Sequence, residues 1–402
     1  MKKVLSVLTT LALMGSLAGC NKASSEKQAQ GVTDTEIVIA NSAATSGAYA
    51  PVGGPFNAGL EAYIKMINDG GGVNGRKIVF KHQDDEFDPV KGKAMLTKFI
   101  EDDKVFAIVG HFGTPVVGAT LQDLKDSGIP AVYFATGIGQ LYNDKAEGKD
   151  RGIFPVQPIY KTEGQIMAAR AVGDFKAKKI GVIYTNDDAG KDLLWGIQKK
   201  AEELKVEVKA EQVAAGATDV SSAVTTIKNA NVDFVCVAAI QATFPTIVKE
   251  LAAQGVNKDC ITTYVNVSPV IAKGVVNEIK GKFNVYGNGW VSFEGDRAKA
   301  LADFQKFCPQ YKDNVYAMTG WIAAHFFTEG LKRVDGTITW KKYMDAMEKS
   351  PIKNPFGGEI NFANGLRAGT QEMNLSKISH TDLNGVWEPV KPLQSMNSIL
   401  GK

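Results

Sequence analysis

The chain has 402 residues, of which 44% are hydrophobic and 22% are charged. This length exceeds what one small core requires and favours two domains of ordinary size. The 46 basic and 43 acidic residues give a formal net charge of +3, which does not indicate the concentrated basic surface that binds phosphate groups. A nucleic-acid partner is therefore not expected.

Residues 1–20 read MKKVLSVLTTLALMGSLAGC, with a short basic start, an apolar run too short to span a bilayer comfortably, and small residues before Cys20. The segment resembles a bacterial lipoprotein signal, which implies export and a lipidated Cys20 that anchors the protein to the cell membrane. An uncleaved anchor and a plain secretory signal are the alternatives, and the length and flanks disfavour both. Residues 21–33 contain little that could pack and predict a flexible tether.

A first series of alternating elements starts near residue 36. In chain order it comprises the strand EIVIANSA, the helix PFNAGLEAYIKMIN, the strand RKIVFKHQD, the helix PVKGKAMLTKFIEDD, the strand VFAIVG, the helix PVVGATLQDLKDSG and the strand PAVYFA. Strands that alternate with amphipathic helices predict an α/β fold, with a parallel sheet flanked by helices. Ligand sites in such sheets lie beyond the carboxyl ends of the strands.

A glycine-rich stretch, GGGVNG, joins the first of these helices to the next strand. Gly70, Gly72 and Gly75 match the G-x-G-x-x-G pattern that binds a dinucleotide pyrophosphate. In a dinucleotide fold this pattern follows a strand and opens a helix, whereas here a helix ends before it and a strand follows it. We therefore interpret it as a helix-to-strand turn, and we predict no cofactor.

A second series of the same kind starts near residue 160. It comprises the helix TEGQIMAARAVGDF, the strand KKIGVIYTN, the helix GKDLLWGIQKKAEELK, the strand VEVKAEQVA, the helix VSSAVTTIKNA, the strand VDFVCVAAI, the helix TFPTIVKELAAQGV and the strand CITTYVN. The repetition predicts a second α/β sheet and therefore a second domain.

Residues suited to metal binding or catalysis are few and scattered. Cys236, Cys260 and Cys308 follow the leader, and their odd number leaves at least one thiol free while their spacings match no zinc motif. Cys236 lies in an apolar run that favours a buried, inert thiol. The four histidines are far apart, and neither G-x-S-x-G nor H-E-x-x-H occurs. We predict no metal site and no enzymatic activity.

Several stretches together resemble one protein family. They are ATSGAYAPVG, AYIKMINDGGGVNGRKI, QDDEFDP, FAIVGHFGT and SGIPAVYFAT, preceded by the lipoprotein signal. From about residue 34 onward the chain resembles the substrate-binding proteins of branched-chain amino acid ABC transporters, the leucine/isoleucine/valine-binding protein family. This resemblance implies a type I periplasmic-binding fold, in which two lobes are joined by three hinge crossings. Lobe 1 is expected at 34–157 and 290–354, and lobe 2 at 158–289 and 355–402.

The resemblance also implies the function of a solute receptor. A small ligand is captured between the lobes by hinge closure, and the closed form is presented to a permease in the membrane. The expected receptor is a monomer without a cofactor. A ligand sensor shares the same fold and is an alternative, and an exported hydrolase is disfavoured because the chain lacks the motifs of one.

On the first lobe the resemblance places ligand contacts in two loops. GHFGTP, with Gly113 and Thr114, falls where the family binds the ligand carboxylate, and Pro115 with Thr114 as its cap predicts the start of a helix that favours an anion. YFATGIG supplies Ala135 and Thr136. A cap hydroxyl that serves only its own helix is the alternative for the first loop.

Four further residues complete the predicted site. Tyr49 is expected to close the pocket, Tyr160 to face it after the crossing, Gln241 to hydrogen-bond the ligand, and Tyr316 to line the cleft from the first lobe. Ordinary packing or surface exposure is the alternative for each of them.

Two departures from the family pattern concern the ligand ammonium. Ala189 stands where amino-acid binders often present an aromatic residue, and Val265 stands where they keep an acid. Asp188 or Asp187 would substitute for that acid if the loop turned it inward. The expected ligand is a branched-chain or other hydrophobic amino acid, and the alternatives are an aromatic acid, urea or a short amide.

Overall fold

The computed structural model describes residues 27–293 and 295–402. The predicted export signal, Cys20 and the first part of the tether lie outside the described residues. In the part of the chain that the structure describes, no helix is both long and apolar enough to cross a membrane.

Strands and helices alternate along most of the chain. The strands are β1 (Glu36–Ala43), β2 (Lys77–Asp84), β3 (Ala107–Phe112), β4 (Ala131–Ala135), β5 (Ile153–Phe154), β6 (Lys179–Thr185), β7 (Glu207–Val213), β8 (Phe234–Ala238), β9 (Cys260–Thr262), β10 (Val285–Gly289), β11 (Ile352–Lys353), β12 (Glu359–Ile360), β13 (Glu372–Ile378) and β14 (Trp387–Ser395). The helices are α1 (Ala50–Asp69), α2 (Pro89–Glu101), α3 (Thr114–Ser127), α4 (Tyr160–Gly173), α5 (Asp188–Leu204), α6 (Ser221–Asn229), α7 (Thr243–Ala253), α8 (Pro269–Lys273), α9 (Val276–Ile279), α10 (Ala298–Phe307), α11 (Val315–Lys332), α12 (Trp340–Glu348) and α13 (Met396–Leu400).

The first sheet has the strand order β2-β1-β3-β4-β5, and every neighbouring pair in it is parallel. Helices α10, α11 and α12 return to this sheet late in the chain, where α11 packs on α1 and on strands β3 and β4. We call this unit the first lobe. Its strands follow the predicted βαβ series, and the central runs β3 and β4 are almost entirely buried, as strands covered by helices on both faces are.

The second sheet forms the second lobe, with the order β14-β13-β10-β9-β8-β6-β7. Strands β6 to β10 pair in parallel, whereas β10 with β13 and β13 with β14 pair antiparallel. The expectation of parallel strands therefore holds for the βαβ part, and the last two strands differ from it. They follow each other through a short loop, which permits only an antiparallel pairing.

The chain passes between the two sheets three times: after β5, after β10 and before β13. Before the third passage, Phe362 packs edge-on against Phe154, and Asn143 forms a bridge with Arg367. Residues 362–367 therefore still contact the first lobe. The amide of Thr370 donates to the carbonyl of Val156 at 2.9 Å, and Nδ2 of Asn374 donates to the carbonyl of Val291 at 2.7 Å. The third passage therefore lies beside the first two, which is the arrangement of a hinge.

In each lobe, two helices cross and contact each other at glycine residues. A Cβ added at Gly59 of α1 would overlap the carbonyl of Ala317, and one added at Gly320 of α11 would overlap the carbonyl of Phe56. In the second lobe, Gly164 of α4 and Gly196 of α5 face each other in the same way. The backbones of both pairs approach more closely than any side chain would permit.

The stretch at residues 70–75 is a turn between α1 and β2, as predicted. Gly72 has φ +81°, and its amide donates to the carbonyl of Ile67 at 2.9 Å while a bridge joins Val73 to Arg76. The left-handed residues end the helix and reverse the chain, so the glycines serve the fold at this position.

Candidate functional site

A cavity lies between the two sheets, at the carboxyl ends of their parallel strands, and the space inside it that is open to the centres of water molecules is about 60 Å³. Its first wall belongs to the first lobe and consists of Val52, Phe56, Phe87, Phe112, Gly113, Thr114, Ala135, Val315, Tyr316 and Thr319. Its second wall belongs to the second lobe and consists of Tyr160, Ile240, Gln241, Tyr264 and Val265. Gln157 and Trp290 line it from the first two crossings.

The polar end of the first wall is built where β3 turns into α3. Gly113 is the N-cap of this helix, with φ +94° and no side chain to cap it, and an added Cβ would crowd the ring of Phe87. The first turn of α3 therefore directs its N–H groups and the positive end of its dipole toward the cavity. The prediction that Thr114 is the cap is wrong by one residue, because the left-handed glycine already makes the turn and Thr114 begins the helix.

Three hydroxyl groups meet at this end of the cavity. The Oγ1 atoms of Thr114 and Thr136 lie 2.8 Å apart, and both threonines are buried. Burial raises the pKa of Tyr160 to about 12, and hydrogen bonds to Thr136 and Thr114 oppose that rise. The cluster is therefore uncharged at neutral pH, and each hydroxyl can donate a hydrogen bond to a ligand that displaces one of these contacts.

The second wall presents fewer free polar groups. Gln241 has φ +46°, and its amide N–H donates to Oδ1 of Asn266 at 2.6 Å, which fixes the backbone of this loop. Its Oε1 is buried without a hydrogen-bond partner among the described residues. The hydroxyl of Tyr264 donates to Oε1 of Gln157 at 3.0 Å, so this polar group is used within the protein.

A buried carboxyl group supports the second wall from behind. Glu163 of α4 has no exposed surface and accepts hydrogen bonds from the hydroxyl of Thr263 at 2.7 Å and the amide of Tyr264 at 2.8 Å. Nδ2 of Asn288 donates to it at 3.3 Å. Burial raises the pKa of Glu163 to about 7, although these hydrogen bonds lower it in part. Glu163 positions Tyr264 and does not itself line the cavity.

Hydrogen bonds join the lobes across the cavity. The hydroxyl of Tyr316, from the first lobe, lies 3.2 Å from the carbonyl of Val265 and 3.1 Å from the hydroxyl of Ser268, both in the second lobe. At the rim, the amide of Gly139 donates to Oδ2 of Asp192 at 2.6 Å. These contacts form only when the lobes are close together, so the structure is a closed form.

Six of the nine residues predicted as ligand contacts line the cavity: Gly113, Thr114, Ala135, Tyr160, Gln241 and Tyr316. The other three do not. Thr136 lies behind Thr114, and Tyr49 stacks on Phe87 with ring centroids 3.7 Å apart. Asp188 lies next to Gly118 of α3, on the outer side of the wall. A direct ligand contact of each of the nine stays a prediction.

Several lining residues were not predicted from the sequence. Phe87 belongs to the run QDDEFDP, for which we predicted no ligand contact, and Gln157 and Trp290 lie in crossings without a local motif. The predicted hinge crossings could have indicated Gln157 and Trp290, because residues in a crossing lie at the base of the cleft.

No charged residue among residues 27–293 and 295–402 lines the cavity. Val265 stands on the second wall, and Ala189 is fully buried in α5. Asp187 caps α5 by accepting the amide of Gly190 at 2.8 Å. Among the described residues no group of three or more potential metal ligands occurs. The cavity can therefore bind a small solute through apolar contacts and hydrogen bonds at one end.

Comparison with known proteins finds a matching family and relatives that share the sequence pattern. Residues 36–382 match the family described as periplasmic binding protein. A Leu/Ile/Val-binding protein homolog from Brucella suis is 24% identical over 331 residues, which cover 80% of this chain and 85% of the relative.

Two solved structures share the fold. A fatty acid ABC transporter substrate-binding protein from Thermomonospora curvata superposes with a TM-score of 0.79 at 21% identity, covering 93% of this chain and 96% of that one. A branched chain amino acid ABC transporter protein from Thermus thermophilus with bound valine superposes with a TM-score of 0.78 at 16% identity, covering 92% of this chain and 99% of that one.

Proposed function

The chain belongs to the periplasmic binding protein family, and on that premise we propose that it is the exported receptor of an ABC importer, which closes its lobes on one small, predominantly apolar solute. The observation that carries the proposal is the cavity between the sheets, which is lined by both lobes and spanned by the bonds of Tyr316. The family is a class of solute-binding receptors, and we propose no catalytic step.

Binding and closure are coupled through the two walls. A ligand that contacts both walls has more contacts in the closed form than in the open one, so it shifts the population toward closure by that difference in affinity. Gln157 supports this coupling at the hinge, because its Nε2 donates to the hydroxyl of Tyr133 at 2.6 Å while its Oε1 accepts from Tyr264. The closed form is then the one that docks on the permease.

The relatives differ in what they bind, since valine occupies one solved structure and a fatty acid names another. The classes predicted from the sequence are hydrophobic amino acids, aromatic acids, urea and short amides. All of these are small enough to be enclosed between two lobes. A role as a sensor would use the same closure and differ only in the membrane partner.

The lobe division is also a proposal. We assign residues 34–157 and 290–370 to the first lobe, and residues 158–289 and 371–402 to the second. The boundary near 370 replaces the expected one near 355, because Phe362 and Arg367 contact the first lobe. The protein acts as a monomer under this proposal, since one chain supplies both walls of the cavity.

A thermal-shift screen of the full-length protein tests the receptor function. Amino acids, short amides, urea and aromatic acids are each added in excess, and one class is expected to raise the melting temperature, since a ligand at 100 times its dissociation constant stabilises the native state by about 2.7 kcal/mol. Small-angle scattering with and without the active class should then show a smaller radius of gyration. If no small solute shifts the melting temperature, the receptor function is contradicted.

Membrane anchoring through Cys20 has its own test. The wild-type protein is expected in the detergent phase after Triton X-114 partitioning, and Cys20→Ser in the aqueous phase, because the variant cannot carry the acyl chains. Ser24→Ala, in the adjoining tether, is the matched control and should partition like the wild type. Equal partitioning of Cys20→Ser and the wild type would contradict lipidation at this cysteine.

A further inference from the structure

In the part of the chain that the structure describes, the cavity has no acidic partner for a positively charged group. Its seventeen described lining residues are apolar or neutral, and none is an aspartate or a glutamate. A buried ammonium group without an anionic partner loses its hydration and gains no charge-assisted hydrogen bond in return. The free Oε1 of Gln241 is a neutral acceptor and does not offset a full charge.

Two acids that lie behind lining residues accept hydrogen bonds from the protein itself. Both carboxyl oxygens of Glu163 accept hydrogen bonds from the second lobe, and it lies behind Tyr264. Asp85 lies behind Phe87, whose amide donates to Oδ1 of Asp85 at 2.9 Å. Neither acid lines the cavity, and Asp188 lies outside it. The candidate substitutes for the missing acid are thus not available to a bound ligand.

The polar end of the cavity is suited to the opposite charge. Helix α3 is 14 residues long, and no side chain caps its first turn. This turn directs N–H groups and the positive end of the helix dipole toward the ligand. The hydroxyls of Thr114 and Tyr160 lie at the same end and can donate as well. These donors match the oxygens of a carboxylate, which accepts several hydrogen bonds at once.

The cavity also offers surface suited to an apolar body. Phe56, Phe112, Ile240 and Trp290 line it and are each at most 8% exposed. The space open to water centres is about 60 Å³, below the roughly 150 Å³ of a cavity that holds benzene. The closed form therefore encloses a compact molecule.

We propose that the ligand of this cavity is a small apolar monocarboxylate without an α-ammonium group, with its carboxylate at the α3 N-terminus and its hydrocarbon part between the aromatic residues. The inference rests on the proposed receptor function and specifies the ligand class of the same site.

Calorimetry with three molecules of one carbon skeleton tests the inference on the full-length protein. The titrants are 3-methylbutanoate, valine and 3-methylbutanamide, which differ only in the ammonium group and in the charge of the carboxyl end. We expect 3-methylbutanoate to bind at least about tenfold more tightly than either of the others, since a charge-assisted hydrogen bond or an unpaired buried charge changes affinity by about tenfold to a hundredfold. Valine or the amide binding as tightly as the acid would overturn the inference.

An acid placed on the second wall should reverse the preference. Val265→Glu is expected to weaken 3-methylbutanoate at least about tenfold and to favour valine, because it supplies a negative partner for an ammonium group. Val265→Gln introduces a side chain as large as that of Val265→Glu but without its charge. This variant should keep the preference for 3-methylbutanoate. Thermal unfolding checks that both variants fold, and the wild-type comparison stands without them.

The failure of this inference and that of the receptor function are distinguishable. Benzoate and hexanoate extend the titration to larger carboxylates. If valine or an amide binds and no carboxylate does, the inference is overturned and the receptor function stands. If neither these compounds nor the thermal-shift panel binds, both are overturned.

Discussion

In the first lobe α1 and α11 cross through Gly59 and Gly320, and in the second lobe α4 and α5 cross through Gly164 and Gly196. Both lobes are thus packed by a close helix contact at a pair of glycines. Their surfaces toward the cavity differ, however. The first wall offers hydroxyls and the N–H groups of a helix, whereas the second offers Ile240 and Val265 with most of its polar groups already bonded.

If the ligand binds as we propose, the lobes have separate tasks within one binding event. The first wall then holds the polar end of the ligand, and the second wall closes over it and adds apolar area. The walls then contribute to affinity in different ways. Removing a donor from the first wall costs a specific hydrogen bond, and changing the second wall alters selectivity and closure.

The largest expected effect tests the shared packing. Gly59→Ala and Gly164→Ala should each lower the free energy of unfolding by upwards of about 3 kcal/mol, because the added methyl group overlaps a backbone carbonyl or helix that cannot move away. Denaturant unfolding monitored by circular dichroism measures the loss.

Matched controls lie in the same helices. Gly54 of α1 and Gly173 of α4 have open space where a Cβ would stand, so Gly54→Ala and Gly173→Ala should be neutral or slightly stabilising. A loss confined to one lobe would show that the two crossings are not equivalent.

The next largest effect concerns Glu163, the buried carboxyl group behind the second wall. Burial raises the folded-state pKa of Glu163 to about 7 from the ordinary value of 4.5, so the native form binds the proton more tightly than the unfolded form. The free energy of unfolding should therefore fall as pH rises from about 4.5 to 7, by up to about 3 kcal/mol. Urea unfolding across this range measures the slope.

The variant Glu163→Gln identifies the source of that slope. It keeps the shape of the side chain and removes the ionisation, so the slope between pH 4.5 and 7 should flatten. Glu202→Gln changes an exposed residue of α5 and should leave the slope as in the wild type. An unchanged slope in Glu163→Gln would assign the pH dependence to other groups.

A smaller effect is expected for the donors of the first wall. Thr114→Val removes one hydroxyl without changing the volume greatly, and the dissociation constant of the ligand should rise by about tenfold. Thr328→Val removes a buried hydroxyl of the same lobe that bonds the backbone of His325, away from the cavity, and should leave the affinity unchanged. Equal affinities in Thr114→Val and the wild type would make Thr114 a packing residue.

The smallest effect concerns closure. Tyr316→Phe removes the hydroxyl that lies near Val265 and Ser268, and we expect a loss of affinity of about fivefold together with a larger radius of gyration in the absence of ligand. Tyr142→Phe changes an exposed tyrosine of the first lobe and serves as the control. A compact Tyr316→Phe protein would show that this contact does not hold the closed form.

Much of the first lobe could be predicted because its signals are local. The order of helix, glycines and strand at residues 70–75 fixed a turn, and the sequence of strand, glycine and Thr114-Pro115 located the start of a helix to within one residue. The antiparallel β13 and β14 were not predicted, since they follow the βαβ series and lack its alternation.

The cavity was predicted less completely because its residues come together only in the tertiary structure. Phe87 stands between acidic residues in the run QDDEFDP, which indicates no apolar contact, and Trp290 stands after a short strand with no neighbouring motif. Asp188 or Asp187 would have substituted for the missing acid if the loop had turned it inward, but Asp188 starts α5 and Asp187 is its N-cap. Side-chain direction in a loop depends on such capping contacts, which spacing along the chain does not reveal.

The uncapped start of α3 has a consequence for how this receptor can diverge. Its N–H donors belong to the backbone, so they survive almost any side-chain replacement around them, provided that position 113 keeps a residue able to adopt its left-handed conformation. Duplicated copies of the gene can therefore acquire new ligand ranges through substitutions in the second lobe while inheriting the same anchor for the ligand. Descendants of one ancestral receptor should then vary in selectivity sooner than in the orientation of the bound molecule.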